Sequence, residues 1–294
     1  MNAAGTAVRV TGLRKSYGSH EALRGIDFEI AAGEVFGLLG PNGAGKTTTI
    51  EILEGYRKRD AGEVEVLGAD PQKATGAWRE RVGVVLQSSS LYPGLTVRES
   101  LQVFAGYYEK PRDPDEVIEI VGLAEKANAR CRTLSGGQKR RLDLGLGLIG
   151  DPELLFLDEP TTGFDPGARR AAWETIRNLR SLGTTILLTT HYLDEAEQLS
   201  DRVAVLREGR IIRVGTPAEL TGESALTEIR FKRDGELVVE TTTDPTRRLH
   251  ELTSEALERG VELDGLEVKR PTLEDVYLEL TADEETEPAT ETPA

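Results

Sequence analysis

The chain has 294 residues, which is enough for one α/β domain of about 200 residues and an appendage of under about 100. Hydrophobic residues make up 38% of it and charged residues 30%, a balance typical of globular proteins with a buried core. Acids outnumber bases by 51 to 36, and the resulting net charge of −15 disfavours binding to the phosphates of nucleic acids. We therefore expect a folded protein in two parts, with no nucleic acid as partner.

Three features of the sequence bear on where the protein works. Its longest apolar runs, which begin at Val35 and Leu154, fall far short of the roughly 20 residues that cross a bilayer. Its N-terminal segment lacks the basic stretch and long apolar run of a secretory signal. Its single cysteine, Cys131, cannot form an internal disulfide, which is typical of a reducing compartment. These features predict a cytoplasmic protein.

The first part of the chain mixes strand and helix patterns. The apolar run that begins at Val35 suits a buried central strand, since it has no polar alternation. The strand patterns are 7–10, 26–30, 35–40, 64–68 and 81–87, and the helical pattern is 47–56. This mixture predicts an α/β domain.

The middle of the chain changes character twice. Helical spacing interrupted by Pro and Gly runs from 97 to 148, which predicts a helical insertion. Beyond it, apolar runs at 154–160 and 184–191 end in polar residues and flank a helical stretch at 168–180. This βαβ pattern predicts a parallel sheet that is buried on both faces.

The last part of the chain is interpreted as an appendage followed by a tail. The predicted elements are strands 225–231 and 236–242, helix 246–259, a strand near 266–269 and helix 273–280. They indicate a small α+β domain at 222–281. The segment 282–294 holds five acids and no base, which predicts a disordered acidic tail.

A phosphate-loop motif, GPNGAGKT, follows the apolar run and opens the next helix. Its glycines let successive backbone N–H groups turn toward phosphate oxygens, and the helix start adds the positive end of its dipole. In this pattern Lys46 reaches the β and γ phosphates, Thr47 coordinates Mg²⁺ and Thr48 bonds the α phosphate. The predicted nucleotide-binding residues of the loop are Gly40, Pro41, Asn42, Gly43, Ala44, Gly45, Lys46, Thr47 and Thr48.

Two carboxylates stand at the end of the apolar run LLFLDEP, which covers 154–160. Ligands of parallel α/β sheets gather at the carboxyl ends of the strands. We expect Asp158 to hold Mg²⁺ through water, and Glu159 to orient and polarise the attacking water of a phosphoryl transfer. An acidic pair at a strand end is otherwise a solvated cap, but the phosphate loop upstream favours the catalytic interpretation.

The segment LSGGQ, which ends at Gln138, narrows the class further. Ser135 suits the N-cap of a helix, and with the backbone of Gly136 and Gly137 it presents a hydroxyl and N–H groups to an anion. With this segment and the motifs above in the same order, the chain resembles the ABC ATPase family over about residues 6–220. In that family the segment, here called the signature, binds the γ phosphate held by a second copy.

The resemblance implies further roles for single residues. Tyr17 would stack on adenine, and Gln87 would sense Mg²⁺ and contact a transmembrane partner. Asp165 would link the two nucleotide sites, and His191 would contact the γ phosphate. Taken alone, Tyr17 is an ordinary surface or core tyrosine and His191 a polar cap. The implied catalytic residues are Glu159, His191 and Lys46, the implied metal ligands are Thr47, Gln87 and Asp158, and the signature residues are Ser135, Gly136, Gly137 and Gln138.

The same resemblance implies a fold and a domain organisation. We expect an α/β P-loop NTPase of the RecA-like type, that is, an ABC nucleotide-binding domain over 1–221 with a helical signature subdomain at about 88–150. The small C-terminal α+β domain and the tail would follow. ATP and Mg²⁺ would be its cofactors, and two identical chains would dimerise head to tail around two ATP molecules.

Within the family, the chain resembles the ATPase subunits of drug and antibiotic exporters of the daunorubicin-resistance type, which pair with a separate permease. Its segment 270–281, RPTLEDVYLELT, resembles their ending, although an ordinary amphipathic helix has the same spacing. The implied function is ATP-driven efflux of a drug, antibiotic or lipid-like molecule in an ABC-2 type exporter. The chain would lie at the inner face of the cell membrane, bound to the transmembrane permease.

Two alternative functions remain open at this stage. One is an ABC ATPase that acts on nucleic acid or in translation, but such proteins usually carry two cassettes, a long coiled-coil insertion or zinc cysteines. The other is an import ATPase, whose cassette would look alike. A single cassette, a single cysteine and an acidic balance favour the exporter.

Overall fold

The computed structural model describes residues 5–86, 91–222, 227–233, 235–269, 272–274 and 277. Gln87 and the predicted tail lie outside this described part of the chain. The chain divides into two compact units, one ending at Val214 and the other beginning at Gly215. The division falls a few residues before the boundary at 221 that we expect from the sequence. Within the described residues, no helix is long and apolar enough to span a membrane.

Strands and helices alternate along the first unit. Its strands are β1 (Thr6–Tyr17), β2 (His20–Ala31), β3 (Val35–Leu39), β4 (Ala61–Val66), β5 (Val82–Val85), β6 (Leu154–Asp158), β7 (Thr185–Thr190), β8 (Arg202–Arg207) and β9 (Arg210–Gly215), the last of which reaches the unit boundary. Its helices are α1 (Lys46–Leu53), α2 (Gly76–Arg79), α3 (Val97–Ala105), α4 (Pro114–Ile120), α5 (Gly136–Leu148), α6 (Pro166–Ser181) and α7 (Leu193–Leu199). Short 3₁₀ turns cover Pro71–Lys73, Ala124–Lys126 and Cys131–Thr133.

Six strands form one sheet in the order β5-β6-β7-β3-β8-β9. The neighbouring strands from β5 to β8 run parallel. Every residue of β3, β6 and β7 is buried, because a parallel sheet of this kind is covered on both faces. Burial on both faces of the sheet explains the nearly continuous apolar runs in the sequence.

Two hydrophobic cores lie on opposite faces of the sheet. Strand β6 shows the division, since Leu154 and Phe156 belong to one core and Leu155 and Leu157 to the other. Successive side chains of a strand point to opposite faces. The antiparallel sheet β2-β1-β4 contributes to the first core, and helices α3 to α6 contribute to the second.

The strand order brings three chain segments to one edge of the sheet. Gly40 follows β3, Glu159 follows β6 and His191 follows β7, and these three strands are neighbours in the order β6-β7-β3. Parallel strands present their carboxyl ends at the same edge. The phosphate loop, the acidic pair and the histidine therefore meet although they are far apart in sequence.

The helical insertion contains α3, α4 and α5. Thr96 and Glu99 form a capping box at the start of α3, in which each side chain accepts a hydrogen bond from the other residue's backbone N–H. Helix α5 approaches β5 closely through Gly147, where an added Cβ would lie 2.6 Å from the Cγ2 of Val85. The insertion is thus packed directly on the edge strand of the sheet.

The second unit is small and has its own core. It contains α8 (Pro217–Gly222), β10 (Thr227–Arg233), β11 (Glu236–Thr242), α9 (Pro245–Arg259) and β12 (Asp264–Lys269). The strands form an antiparallel sheet in the order β11-β10-β12. Ile229, Phe231 and Leu252 are buried in its core, so the sheet packs on α9. Of the predicted helix 273–280, Leu273, Glu274 and Tyr277 are helical and its other residues lie outside the described part.

Candidate functional site

The loop between β3 and α1 lines a cavity of about 600 Å³. Its backbone needs glycine at Gly45, where φ is 110° and an added Cβ would lie 2.7 Å from the Cδ2 of Leu23. Gly40 donates its N–H to the carbonyl of Thr190 over 3.3 Å, and a Cβ on it would meet the carbonyl oxygen of Leu206 at 2.3 Å. The loop is therefore held tightly against β7 and β8.

Lys46 places a buried cation at this cavity. Its side chain is only 4% exposed, and its Nζ donates to the carbonyl of Gly40 over 2.7 Å and to that of Pro41 over 3.2 Å. The same ammonium lies 3.4 Å from Oε1 of Glu159. Because its own loop and Glu159 fix its position, this ammonium is preorganised to meet an anion in the cavity.

Glu159 lies between two basic groups. Its Oε1 is 3.4 Å from the ammonium of Lys46 and 3.3 Å from Nδ1 of His191. Burial raises the pKa of the Glu159 carboxyl, but Lys46 and His191 outweigh that effect and the net pKa lies below its ordinary value. The carboxylate is therefore ionised at neutral pH, as a group that accepts a proton from water must be.

The backbone of Glu159 is strained. Its φ is 45°, in the left-handed region that costs a residue other than glycine about 1 to 3 kcal/mol. Its N–H donates to the carbonyl and to the hydroxyl of Thr189, over 3.2 and 3.0 Å. This left-handed conformation ends the line of β6, and the Glu159 carboxylate lies at the cavity.

Asp158 connects the end of β6 to the phosphate loop. Its Oδ2 accepts a hydrogen bond from the Thr47 hydroxyl over 3.4 Å, and its Oδ1 accepts one from the Thr189 hydroxyl over 2.6 Å. The carboxylate is 7% exposed. Asp158 and Thr47, two of the three predicted metal ligands, thus present oxygen atoms side by side.

Tyr17 also lines the cavity. Its ring is 40% exposed, and its hydroxyl lies 3.4 Å from that of Thr48. The Cζ of Arg57 lies 5.1 Å from the ring centroid and the Nζ of Lys15 lies 5.6 Å from it. A half-exposed aromatic ring at this position is available for stacking on a planar base.

The cavity brings together about half of the predicted nucleotide-binding residues, and Gly40, Pro41 and Ala44 of the phosphate loop do not line it. Its lining comprises Tyr17, Asn42, Gly43, Gly45, Lys46, Thr47, Thr48, Glu159 and His191, with His20, Ala22 and Thr162, which the sequence does not single out. The signature residues and Asp165 are absent from this lining, and Gln87 lies outside the described residues. The cavity and the signature are therefore separate features of the chain.

The signature forms the exposed start of α5. Ser135 is its N-cap, with its hydroxyl accepting from the N–H of Gln138 over 3.3 Å and its own N–H donating to the Gln138 side chain over 3.0 Å. Gly136 is exposed and Gly137 is half-buried. Asp165 is likewise an N-cap, since its Oδ1 accepts from two N–H groups at the start of α6.

Sequence comparison identifies the family. The ABC transporter family model matches residues 23–162. The daunorubicin resistance ATP-binding protein DrrA3 of Streptomyces coeruleorubidus is 39% identical, over 96% of this chain and 98% of its own. The Nod factor export ATP-binding protein I of Rhizobium meliloti (strain 1021) is 42% identical, over 95% of this chain and 89% of its own. The chain belongs to the ABC transporter ATP-binding proteins.

Solved structures agree with this assignment. An ATP-binding subunit of an ABC transporter superposes with a TM-score of 0.68 at 25% identity, covering 94% of this chain and 99% of that chain. The cbiO1 protein of Clostridium perfringens, part of the ABC transporter complex cbiONQ, superposes with a TM-score of 0.68 at 29% identity, covering 75% and 92%. The predicted family and P-loop NTPase fold are thereby confirmed. As a member of this family, the chain is an ABC ATPase that binds and hydrolyses ATP.

The oxygen ligands of this ABC ATPase fit a magnesium ion that arrives with its nucleotide. The described residues contain no cluster of three or more His, Cys, Asp or Glu that could hold a metal without help. Mg²⁺ is typically bound through one or two carboxylates together with substrate phosphates, and it keeps several waters. Asp158 and the Thr47 hydroxyl, which lie 3.4 Å apart beside the phosphate loop, are a donor set of this kind.

Three residues of the ABC ATPase site are missed by the sequence analysis. Thr189 bonds both Asp158 and Glu159, as described above. Glu195 is fully buried, where its Oε1 accepts from the Thr161 hydroxyl over 2.7 Å and from the Trp173 indole over 3.1 Å. Arg140 is buried against the backbone around Glu159. Thr189 could have been found from the sequence, because it shortly precedes His191 at a strand end. Glu195 and Arg140 resemble ordinary charged residues of helix surfaces.

Proposed function

We propose that this ABC ATPase powers the efflux of a drug, antibiotic or lipid-like molecule through a separate permease of the ABC-2 type. The position of the Glu159 carboxylate, between Lys46 and His191 behind a phosphate loop, carries the enzymatic part of the proposal. The export part rests on the two relatives, whose names concern daunorubicin resistance and Nod factor export.

In the proposed reaction, each site residue has one task. Tyr17 stacks on the adenine, and the backbone N–H groups of the phosphate loop together with Lys46 bind the phosphates. Glu159 orients the attacking water and accepts its proton, and His191 contacts the γ phosphate. Mg²⁺, when bound, offsets the negative charge of the β and γ phosphates, with Thr47, Asp158 and Gln87 as its proposed ligands.

The proposed active form is a dimer of identical chains. The signature and the phosphate cavity of one chain are separate half-sites, and the signature presents an exposed hydroxyl and N–H groups at a helix start. A head-to-tail dimer would place each signature on the γ phosphate in the other chain. Two ATP molecules would then be enclosed between the chains.

The proposed membrane partner is the permease, which would hold the chain at the inner, cytoplasmic face of the cell membrane. Two large apolar side chains that flank Gln87 in sequence are exposed, with Leu86 53% and Tyr92 60% exposed. Exposed apolar groups of this size are typical of interaction sites. A helix of the permease that covered them would move with the helical insertion.

Nothing in the site favours the alternatives of a nucleic-acid ATPase or an importer. The net charge of −15 opposes binding to nucleic acid phosphates. The two relatives described above carry names of resistance and export. Efflux is therefore the function that we propose.

The test combines hydrolysis and export in one variant. Glu159→Gln should bind ATP normally but turn over at least about 100-fold more slowly, because it loses the water-orienting base. In cells that also contain the permease, the same variant should abolish ATP-driven efflux. Glu153→Gln, at the opposite end of β6 where Glu153 pairs with Arg81, is the matched control. Normal turnover in Glu159→Gln would exclude the proposed catalytic role.

A further inference from the structure

Arg140 makes an unusual set of contacts for a residue in a run of basic side chains. It lies in α5, on the turn that follows the signature, and is only 7% exposed. Its Nε donates to the carbonyl of Pro160 over 2.9 Å and its Nη2 to the carbonyl of Asp158 over 3.2 Å. Its Nη1 donates to the carbonyl of Leu86, the residue before Gln87.

Two of these acceptors flank the catalytic glutamate. The carbonyls of Asp158 and Pro160 belong to the residues on either side of Glu159, whose φ of 45° is strained. The N–H of Glu159 is fixed separately by Thr189. The backbone conformation that directs the carboxylate to the cavity is thus held at three points. Thr189 binds the N–H of Glu159, and Arg140 binds the carbonyls of Asp158 and Pro160.

The geometry requires a guanidinium. Its planar fork carries several N–H donors in fixed directions, whereas the ammonium of lysine is a compact point charge that cannot span three separated carbonyls. Burial lowers the pKa of Arg140, and the negative charges of Asp143, Asp158 and Glu195 oppose that effect. Its neighbour on the same helix differs, because Arg141 donates to the carbonyl of Gly122 within the helical insertion.

We propose that Arg140 is a positioning residue for Glu159, and that it links the signature helix of a chain to the catalytic carboxylate of the same chain. The inference rests on the proposed catalytic role of Glu159. Ser135, the N-cap of helix α5, is where the nucleotide of a second copy would bind, and Arg140 lies about one turn further along. A shift of α5 when that nucleotide binds would pass through Arg140 to the backbone of Glu159, which connects the two composite sites by direct contacts.

Substitution of Arg140 should affect the chemical step more than nucleotide binding. Arg140→Met should lower kcat by about 10- to 100-fold, because a small misplacement of a reacting group is costly. The KM for ATP should change by less than about threefold, because the phosphate loop is untouched. Arg140→Lys, which keeps the charge, should likewise lower kcat while leaving the KM for ATP nearly unchanged. Arg141→Met, the matched control, should retain kcat within about twofold.

A double-mutant cycle separates positioning from a general structural role. If Arg140 acts through Glu159, then Arg140→Met should slow the Glu159→Gln variant by less than about twofold, because no catalytic carboxylate remains to be positioned. Single-turnover measurements with saturating ATP give these rates. Thermal unfolding identifies a variant that fails to fold, and in that case Arg140→Lys decides the question.

The outcomes distinguish this inference from the proposed function. If Glu159→Gln itself turns over normally, the proposed function fails. If Glu159→Gln is slow but Arg140→Met and Arg140→Lys are as fast as the unmodified chain, the positioning role is wrong. The positioning role is also wrong if the effects of Arg140→Met and Glu159→Gln multiply, since each would then act independently of the other.

Discussion

The two units of the chain treat charged side chains in opposite ways. In the described residues, every charged side chain that is buried belongs to the first unit: Glu34, Lys46, Arg140, Asp158 and Glu195. In the second unit, ion pairs stay near the surface, as Arg248 does with Glu240 over 2.6 Å and with Glu251 over 3.0 Å. The first unit thus buries charged side chains in its interior, and the second keeps its charged side chains at its surface.

The distribution of buried charges points to the part of the molecule that holds the nucleotide site, independently of any sequence motif. Removing an ion from water costs several kcal/mol even after relaxation, whereas an exposed ion pair contributes about 0 to 1 kcal/mol. A unit that buries several charges near one another must therefore compensate each of them by hydrogen bonds and by opposite charge. Of the five buried groups, Lys46, Asp158 and Arg140 surround Glu159. Among its described residues, the second unit buries no charged side chain.

The largest effect that we predict lies in the first unit but depends on a second copy. Ser135→Arg should reduce ATP hydrolysis at least about 1,000-fold, because a long cation at the signature blocks the approach of the γ phosphate held by the other chain. Each chain should still bind ATP, since its own cavity is unaltered. Equilibrium binding and steady-state turnover measure the two properties.

A matched control for this variant exists on α3. Thr96 is the N-cap of that helix and, like Ser135, belongs to a capping box. Thr96→Arg should cost about 0.5 to 2 kcal/mol of stability, as loss of a cap does, but leave ATP hydrolysis measured without the permease intact. Equal loss of activity in both variants would mean that capping, and not contact with a second nucleotide, is the role of Ser135.

A smaller effect should separate the two units. Phe231→Ala removes a fully buried ring from the core that it forms with Ile229 and Leu252. It should destabilise the second unit by about 3 to 5 kcal/mol. ATP affinity should stay within about twofold, because no residue of the predicted nucleotide site lies beyond 214. Hydrogen exchange of β10 to β12 would measure the first effect and equilibrium binding the second.

The comparison for Phe231 is Phe156, which is also fully buried but lies in β6 beside the acidic pair. Phe156→Ala should destabilise the first unit by a similar amount and weaken ATP binding as well. Loss of ATP binding in Phe231→Ala would show that the second unit supports the nucleotide site. The inference that the first unit binds ATP without support from the second would then be wrong.

The phosphate loop was predictable because its chemistry is local in sequence. Closely spaced glycines, a lysine and a hydroxyl form the anion site by themselves, and an apolar strand before them sets their place in the fold. The acidic pair was predictable for a similar reason, since it ends a buried strand. The role of Gln87 stays a prediction.

Arg140 and Glu195 were not predictable, because their burial results from tertiary packing. In the sequence, Arg140 belongs to the basic run KRR and Glu195 to an acidic helix start, and both patterns are typical of solvated surfaces. Only the approach of α5 and α7 to the strand ends makes them interior groups. Strands β8 and β9 were missed despite a usable signal, namely the short apolar run 203–206 before the turn at Gly209.

The smallest predicted effect is a pH dependence that has opposite signs for two carboxyls, Glu54 in the first unit and Glu240 in the second. Glu54 follows α1 in the first unit, and burial raises its pKa to about 7, with contributions from the charges of Asp158 and Glu51. In the unfolded chain this carboxyl titrates near 4.5. Between these two values the folded chain keeps a proton on Glu54 that the unfolded chain releases, so the contribution of Glu54 to the stability of the first unit is fully present below about pH 4.5 and is lost as the pH rises through about 7.

Glu54→Gln should remove this dependence, because an amide does not titrate. At about pH 8 the variant should be more stable than the unmodified chain by on the order of 1 to 3 kcal/mol, with little difference near pH 4.5. Glu240 in the second unit gives the opposite sign, since the hydrogen bond from Arg248 lowers its pKa. Its contribution to stability is present at neutral pH and lost as the pH falls through the lowered pKa. Urea unfolding can follow the first unit by fluorescence, because both tryptophans, Trp78 and Trp173, lie in it. If Glu54→Gln leaves the slope of stability between about pH 5 and 8 unchanged, the buried carboxyl does not set the pH response of the first unit.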